Sequence, residues 1–249
     1  MFFDAPHLEE PKLDAAVQVY LLGQVDFEEI LQLQRRLVYE VAGAPDQAAL
    51  ILCEHPPLIT VGRQGSWRHI LFDQRELMSR EWQVRWVNRG GGCLLHLPGQ
   101  LAVYPVLSLG HLGLGLREYR ERLQQVFIDV LDDFRIPAVM HPERSGVRVG
   151  NRPIAAAGIA VRDWVAYYGG VLNVNPDLDL YRLVKSCYPE DGMMTSLVRE
   201  RRGPLRFSLV RERLLEHFMA RFPFARLALF SDHPMLRRKV ASDVVVAGR

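Results

Sequence analysis

Apolar positions along the chain follow a helical period in three places. After Asp26, apolar residues recur at helical spacing, and Glu29 stands three residues later, as in a capping box. A second helical pattern covers residues 116 to 134. Ser208 can cap a third pattern, which continues to Phe222. The sequence therefore predicts three long helices.

Short apolar segments between these helices are typical of strands. Residues 49–53 are continuously apolar, as in a buried strand. Further predicted strands cover residues 58–61, 84–87, 101–107, 147–149, 154–161 and 165–174. Because strands dominate the middle of the chain and helices bracket them, we expect an α+β domain with a mixed sheet and helices packed on one face.

The length of 249 residues suits one large domain better than two. We assign residues 16–234 to this domain, 1–15 to an N-terminal arm and 235–249 to a polar C-terminal tail. No apolar run approaches the ~20 residues that a transmembrane helix needs. The net charge of +2 implies no strong field for a polyanion. We therefore expect neither a membrane nor a nucleic acid as a partner.

Cysteine content and the start of the chain indicate the compartment. Cys53, Cys93 and Cys187 are too few and too scattered for a disulfide framework or a zinc cluster. The first eleven residues lack the basic and apolar regions of a secretory signal. We expect a reduced, cytoplasmic protein with no metal site and no cofactor.

Two segments combine tight turns with groups that can contact a ligand. Two prolines follow His55, and on local grounds we interpret this segment as a structural turn. Three glycines follow Arg89, so backbone amides there can approach a ligand and the guanidinium can hold an anion. No Walker or dinucleotide pattern is present, and a glycine-rich hairpin with His96 in the core is the alternative.

A third segment offers a nucleophile. Cys187 lies in a polar, turn-rich segment two residues after Lys185, and a thiolate needs positive charge nearby. Taken alone, an inert thiol explains this cysteine as well as a reactive one does.

In their order and spacing, these segments resemble the lipoyl(octanoyl) transferase family over residues 17–232. The resemblance rests on residues 22–27 with Gln34, on 55–63, on 89–96 with 98–101, on 154–159, on 172–174 and on Cys187 with 195–197. It implies a biotin/lipoate protein ligase-like domain, which is class II synthetase-like. It also implies that Cys187 is the catalytic nucleophile. The implied substrate-binding residues are Arg89, Gly90, Gly91, Gly92, Cys93, Leu94, Leu95, His96, Ala156, Ala157, Gly158, Gly169, Gly170 and Val171.

The reaction implied by the resemblance is protein lipoylation by an acyltransferase. The donor is octanoyl-acyl carrier protein, and the acceptor is a lysine in the lipoyl domain of a 2-oxoacid dehydrogenase or in the glycine cleavage H protein. An acyl-cysteine links the two half-reactions. A variant is transfer of the acyl group between carrier proteins. An ATP-dependent ligase is disfavoured, because such ligases generally depend on a lysine that this chain lacks.

Departures from the family pattern cluster at the predicted site. Pro153 stands where the family has its catalytic lysine, and Tyr168 stands where it has a histidine. In the glycine-rich segment, Thr-Tyr-His-Gly is replaced by Leu-Leu-His-Leu at residues 94–97. Lys185 or Arg152 can supply the missing charge. Otherwise the chain is an impaired or repurposed paralogue that binds a lipoyl domain or an acyl group.

Overall fold

Two β-sheets and five α-helices form the part of the chain that a computed structural model describes, residues 13–141, 145–184 and 193–236. The strands are β1 (Leu13–Gln24), β2 (Ala48–Glu54), β3 (Leu58–Val61), β4 (Gln83–Trp86), β5 (Cys93–His96), β6 (Gln100–Ser108), β7 (Val139–Met140), β8 (Gly146–Val149), β9 (Arg152–Arg162), β10 (Val165–Asn173) and β11 (Phe224–Phe230). The helices are α1 (Phe27–Gly43), α2 (Gln74–Ser79), α3 (Leu116–Asp133), α4 (Leu197–Arg201) and α5 (Phe207–Arg221).

The main sheet is mixed and has eight strands in the order β11-β1-β2-β6-β10-β9-β8-β7. β1 runs parallel to β2 and β11, whereas the pairs from β2 to β7 are antiparallel. A small second sheet has the order β4-β3-β5. The predicted α+β class with a mixed sheet and packed helices is confirmed.

Helices cover both faces of the main sheet, so the expectation of helices on one face is wrong. On one face, Ile30 and Leu33 of α1 pack with Ile51 of β2. On the other face, Phe127 of α3 and Phe218 of α5 pack with the opposite side of the same strands. The central strands carry buried side chains along their whole length, so each face of the sheet must be covered.

The ends of the domain differ from the sequence-based predictions. β1 begins at Leu13, inside the predicted arm, and pairs with β11, which the pattern did not predict. Helix α5 begins at Phe207 after Arg206, so Ser208 lies within the helix and the predicted N-cap is wrong. The N-cap of α1 is as predicted, since the Asp26 carboxylate accepts the amide hydrogen of Glu28 at 2.8 Å.

One buried side chain joins α1 to the middle of the main sheet. The amide oxygen of Gln34 accepts the backbone N–H of Tyr168 at 2.7 Å, and both residues are buried. Tyr168 has a φ of 56° within β10, so the strand is irregular there. The side chain of Gln34 thus satisfies a backbone donor that lies next to Gly169 in the predicted site.

We expect Gln34→Ala to lower the free energy of unfolding by about 1–3 kcal/mol, because the buried N–H of Tyr168 then lacks an acceptor. Urea unfolding measures the change. Gln32→Ala is the matched control, since Gln32 lies on the exposed side of the same helix. Equal losses in the two variants would show that the hydrogen bond is not the cause.

Candidate active site

The glycine-rich segment, residues 89–92, which we call the glycine loop, connects the small sheet to the edge of β9. The backbone N–H of Gly90 donates to the carbonyl oxygen of Ile159 at 3.0 Å. Gly91 has a φ of 80°, a conformation that favours glycine. A Cβ atom on Gly158 would lie 2.8 Å from the carbonyl oxygen of Gly90, so only glycine permits this approach. Gly90, Gly91 and Gly158 together explain why the loop can lie directly on strand β9.

A cavity of about 560 Å³, which we call the main cavity, lies between this loop, β8, β9 and α3. Of the predicted substrate-binding residues, it is lined by Arg89, Gly90, Gly91, Gly92, Cys93, Leu94, Leu95, Ala156, Ala157 and Gly158. Pro153 also lines it, at the position where the sequence predicted a missing lysine. The fold therefore brings together two segments that are about sixty residues apart in the chain.

The remaining predicted residues line a second space of about 20 Å³, which we call the inner cavity. It has room for about one water molecule. Its walls are formed by Phe27, Arg89, Leu94, His96, Tyr104, Ala156, Gly158, Tyr168, Gly169, Gly170 and Val171. Arg89, Leu94, Ala156 and Gly158 belong to both cavities, so the two spaces adjoin.

Arg89 and His96 meet at the hydroxyl of Thr60. The guanidinium of Arg89 donates to Thr60 Oγ1 at 2.8 Å and to the Thr60 carbonyl at 2.9 Å. Nε2 of His96 lies 3.0 Å from the same hydroxyl. The Thr60 hydroxyl has two lone pairs, so it can accept from Arg89 and still either donate to Nε2 of His96 or accept from it. Nδ1 of His96 is buried and has no hydrogen-bond partner among the described residues.

The family resemblance also implies that His55 lines one pocket with Gly90, Gly91, Gly92 and His96, but His55 lies beside His96 and lines neither cavity. The two rings are 5.5 Å apart. Nδ1 of His55 donates to the carbonyl of Val25 at 2.8 Å, and Nε2 accepts from the Tyr104 hydroxyl at 3.0 Å. Burial lowers the pKa of His55 to about 4 and holds the pKa of His96 well below its ordinary range. Both rings are therefore neutral near pH 7.

The charged side chains among the described lining residues of the main cavity are arginines: Arg63, Arg89, Arg120 and Arg182 line it, and no described aspartate or glutamate does. Arg182 pairs with Asp179. Neither Arg63 nor Arg120 has a carboxylate partner within residues 13–141, 145–184 and 193–236. The cavity thus combines apolar walls with positive charge.

Arg152, one candidate for the missing charge, does not line the main cavity. Its guanidinium donates two hydrogen bonds of 2.9 Å to the carboxylate of Glu200. That contact lowers the pKa of Glu200. Thr195 also donates to Glu200, and the N–H of Thr195 donates to the Pro153 carbonyl at 2.9 Å. The charge of Arg152 therefore serves to hold α4 against β9.

Cys187 and Lys185 lie outside the described residues, so the assignment of Cys187 as the nucleophile stays a prediction. The flanking residues, however, are at the main cavity. Val184 lines it and forms a bridge with Ile70, while Met193 lines it on the other side of the gap. The residues on both sides of the segment 185–192 therefore lie at the wall of the main cavity.

Several lining residues were not predicted from the sequence. They include Leu116, Arg120, His141, Ser145, Tyr181 and Met194. Arg120 follows the buried Tyr119 in α3 and interrupts no apolar position, so periodicity alone gave no signal for it. Among the described residues, no three His, Cys, Asp or Glu side chains converge as metal ligands. No described helix is long and apolar enough to cross a membrane.

Comparison with known sequences identifies relatives over most of the chain. Residues 26–219 match the family model of the lipoyl protein ligase A/B catalytic domain. An octanoyltransferase of Geotalea uraniireducens is 34% identical over 197 residues, which cover 79% of this chain and 89% of the relative. An octanoyltransferase of Caldicellulosiruptor saccharolyticus is 36% identical over 183 residues, covering 73% and 78%.

Solved structures share the fold at low sequence identity. A lipoate-protein ligase A bound with ATP has a TM-score of 0.68 and 14% identity, covering 90% of this chain and 91% of that protein. A bipartite lipoate protein ligase from Thermoplasma acidophilum has a TM-score of 0.65 and 16% identity, covering 88% and 87%. The architecture is therefore that of the lipoate protein ligases.

We expect the folded state to lose stability as the pH falls from about 6.5 towards 4. The pKa of His55 is about 4 in the folded chain and ~6.5 when unfolded, so below pH 6.5 the unfolded chain takes up a proton that the folded chain does not. The loss from His55 between pH 7 and pH 5 is roughly 2 kcal/mol. Urea unfolding at these two pH values tests it.

The variant His55→Gln should show a smaller pH dependence of unfolding than the wild type, whereas His111→Gln, at an exposed site, should leave it unchanged. His96 contributes with the same sign, so some pH dependence remains. An unchanged slope in His55→Gln would mean that His55 is not held neutral by burial.

Proposed function

The chain belongs to the octanoyltransferase family, and we propose from this premise that it transfers an octanoyl group from acyl carrier protein to a lipoyl-domain lysine through Cys187. The observation that carries the proposal is the position of the chain on either side of Cys187. Val184 and Met193 both line the main cavity. Three residues of extended chain span about 11 Å at most, so Cys187 is tethered close to Val184.

In the first half-reaction, the Cys187 thiolate attacks the thioester carbonyl of octanoyl-acyl carrier protein. A new sulfur–carbon bond forms, the carbon–sulfur bond to the carrier breaks, and the carrier's thiolate leaves and takes up a proton from water. In the second half-reaction, the neutral amine of the acceptor lysine attacks the acyl-cysteine. An amide bond forms, the Cys187 thiolate leaves and the amine gives up a proton. No nucleotide or redox partner is needed for this balance.

We assign the acyl chain to the apolar walls of the main cavity. Leu94 and Leu95 line it from β5, and Val147 and Ala155 line it from β8 and β9. A carbon atom takes up on the order of the ~30 Å³ of a water molecule, so an eight-carbon chain needs under half of the cavity. The remaining volume can hold the thioester end of the donor's pantetheine arm.

We assign oxyanion binding to the glycine loop. The N–H of Gly90 already donates to Ile159, so Gly91 and Gly92 are the better candidates for holding the tetrahedral intermediate. Arg89 supports the loop, since its guanidinium also donates to the Gly90 carbonyl at 3.0 Å. A donor that is fixed before the reaction needs no reorganisation, which is how such loops lower a barrier.

A second candidate function is a binding role without efficient transfer. Pro153 carries no charge into the main cavity, and Arg152 is engaged by Glu200. A free thiol has a pKa of ~8.5 and is only a few per cent thiolate at neutral pH. If no other cation lowers that pKa, the chain binds acyl groups or lipoyl domains and transfers acyl groups only slowly.

We expect Cys187→Ala to abolish the octanoyl-enzyme adduct and transfer from octanoyl-acyl carrier protein to a lipoyl domain. Intact-protein mass spectrometry detects the adduct. Cys53→Ala is the control, because Cys53 is buried in β2 and burial raises its pKa, so it should retain both adduct and transfer. If the wild type forms no adduct and its Cys187 thiol alkylates no faster than free cysteine, the binding role is favoured.

We expect Pro153→Lys to increase the transfer rate at pH 7 by about tenfold or more. An ammonium in the main cavity should lower the pKa of Cys187 by at least one unit, and each unit is a tenfold change in the ratio of thiolate to thiol. The pH dependence of alkylation measures the pKa directly. Arg152→Met should leave that dependence unchanged, because Arg152 is held by Glu200. A thiol whose pKa does not respond to the new lysine would place Cys187 away from Pro153.

A further inference from the structure

One arginine on α3 faces the main cavity without a carboxylate beside it. Leu116 and Arg120 both line the cavity and lie one helical turn apart. One turn further, the amide oxygen of Gln124 accepts the N–H of Gly146 at 2.6 Å, and Gly146 also lines the cavity. This side of α3 is therefore held against β8, which fixes the direction in which Arg120 points.

The acidic residues nearest to Arg120 on α3 are engaged elsewhere. Glu121 accepts from Arg117 at 2.8 Å, and Glu118 accepts from Arg122 at 2.8 Å. Nε of Arg120 is buried and has no hydrogen-bond partner within the described ranges of the chain. The side chain is half-buried, so its charge is partly removed from water.

A cation that is partly withdrawn from water is costly unless an anion or a hydrogen-bond acceptor compensates it. The described lining of the main cavity contains no carboxylate that could do so. Arg89 donates to Thr60, Arg182 pairs with Asp179 and Arg63 is exposed to solvent. Arg120 is therefore the half-buried guanidinium of the cavity wall that lacks an anionic partner among the described residues. A guanidinium pairs best with a carboxylate or phosphate, which it can bind through two hydrogen bonds.

We propose that Arg120 binds an oxyanion of the ligand, so that the main cavity takes acyl compounds that carry a carboxylate or phosphate group. The inference depends on the proposed function in one respect, namely that the ligand is an acyl compound. The charged group that Arg120 binds is either the carboxylate of a free fatty acid or the phosphate of the donor's pantetheine arm. Leu116 and Pro153 line the same cavity and supply apolar contact for the rest of the ligand.

Binding to the purified protein tests the proposal without any transfer step. Isothermal titration measures Kd for octanoate against octanamide, and for S-octanoyl-phosphopantetheine against S-octanoyl-pantetheine. Arg120→Met should raise Kd for at least one anionic ligand by about tenfold or more, the value of a charge-assisted hydrogen bond. Kd for the neutral counterpart should change less than about twofold, and Arg120→Lys should restore part of the lost affinity.

Arg117→Met is the matched control, because Arg117 lies on the same helix, is 85% exposed and should leave every Kd unchanged. A loss confined to octanoate identifies the fatty acid as the source, and a loss confined to the phosphate-bearing ligand identifies the pantetheine arm. Equal effects on anionic and neutral ligands, no effect on either, or no measurable binding of both anions to the wild type would overturn the proposal. A failure of octanoyl transfer alone would leave it standing.

Discussion

The contact between the glycine loop and the edge of β9 is the constraint on which the site depends. Strand β8 pairs with β9 only as far as Ala156, and Ser145 accepts the N–H of Ala157 just beyond it. From there the edge of β9 is covered by the loop, through the hydrogen bond from Gly90 to Ile159. The space between Ser145 and Gly90 is where the main cavity opens. Any side chain at residue 158 would push the loop away and remove one wall of the cavity.

Much of the fold could be predicted because its central elements have strong local patterns. The apolar run of β2, the short apolar segments of β8 to β10 and the apolar stripe of α3 each predicted an element close to the observed one. β1 and β11 were missed because they are joined by parallel pairing over about two hundred residues, which no local pattern reports. β11 also exposes Leu227 and Leu229, so it lacks the alternation of a half-buried strand.

The site could be predicted only in part, and for a physical reason. Glycines in the loop and on β9 leave a mark in the sequence, because close backbone approach excludes other residues. Arg120 leaves no such mark, since a charged residue beside an apolar stripe is what any amphipathic helix shows. Its position at the cavity follows from the hydrogen bond of Gln124 to Gly146, a contact that exists only once α3 lies on β8.

Few described side chains at this site can act as an acid or a base, because His55 and His96 are neutral and an arginine does not accept a proton. His55 uses Nδ1 on a carbonyl and Nε2 on Tyr104, and Nε2 of His96 faces the hydroxyl of Thr60. Both ring nitrogens of His55 are therefore occupied, whereas Nδ1 of His96 has no hydrogen-bond partner among the described residues. An arginine side chain only donates hydrogen bonds, so Arg120 can hold a negative charge but does not accept a proton.

The proton that the acceptor lysine must lose cannot pass to His55, whose ring nitrogens are both occupied, or to Arg120. In the proposed reaction it passes to water or to a group on the segment 185–192. The lysine that the family resemblance implies at residue 153 would supply both a charge and, once deprotonated, a base, whereas an arginine on α3 can replace only the charge. On the hypothesis that Pro153 stands in place of this lysine, the exchange separates two roles that one lysine can combine. It leaves electrostatic stabilisation to the walls of the main cavity and proton removal to water or to the segment 185–192.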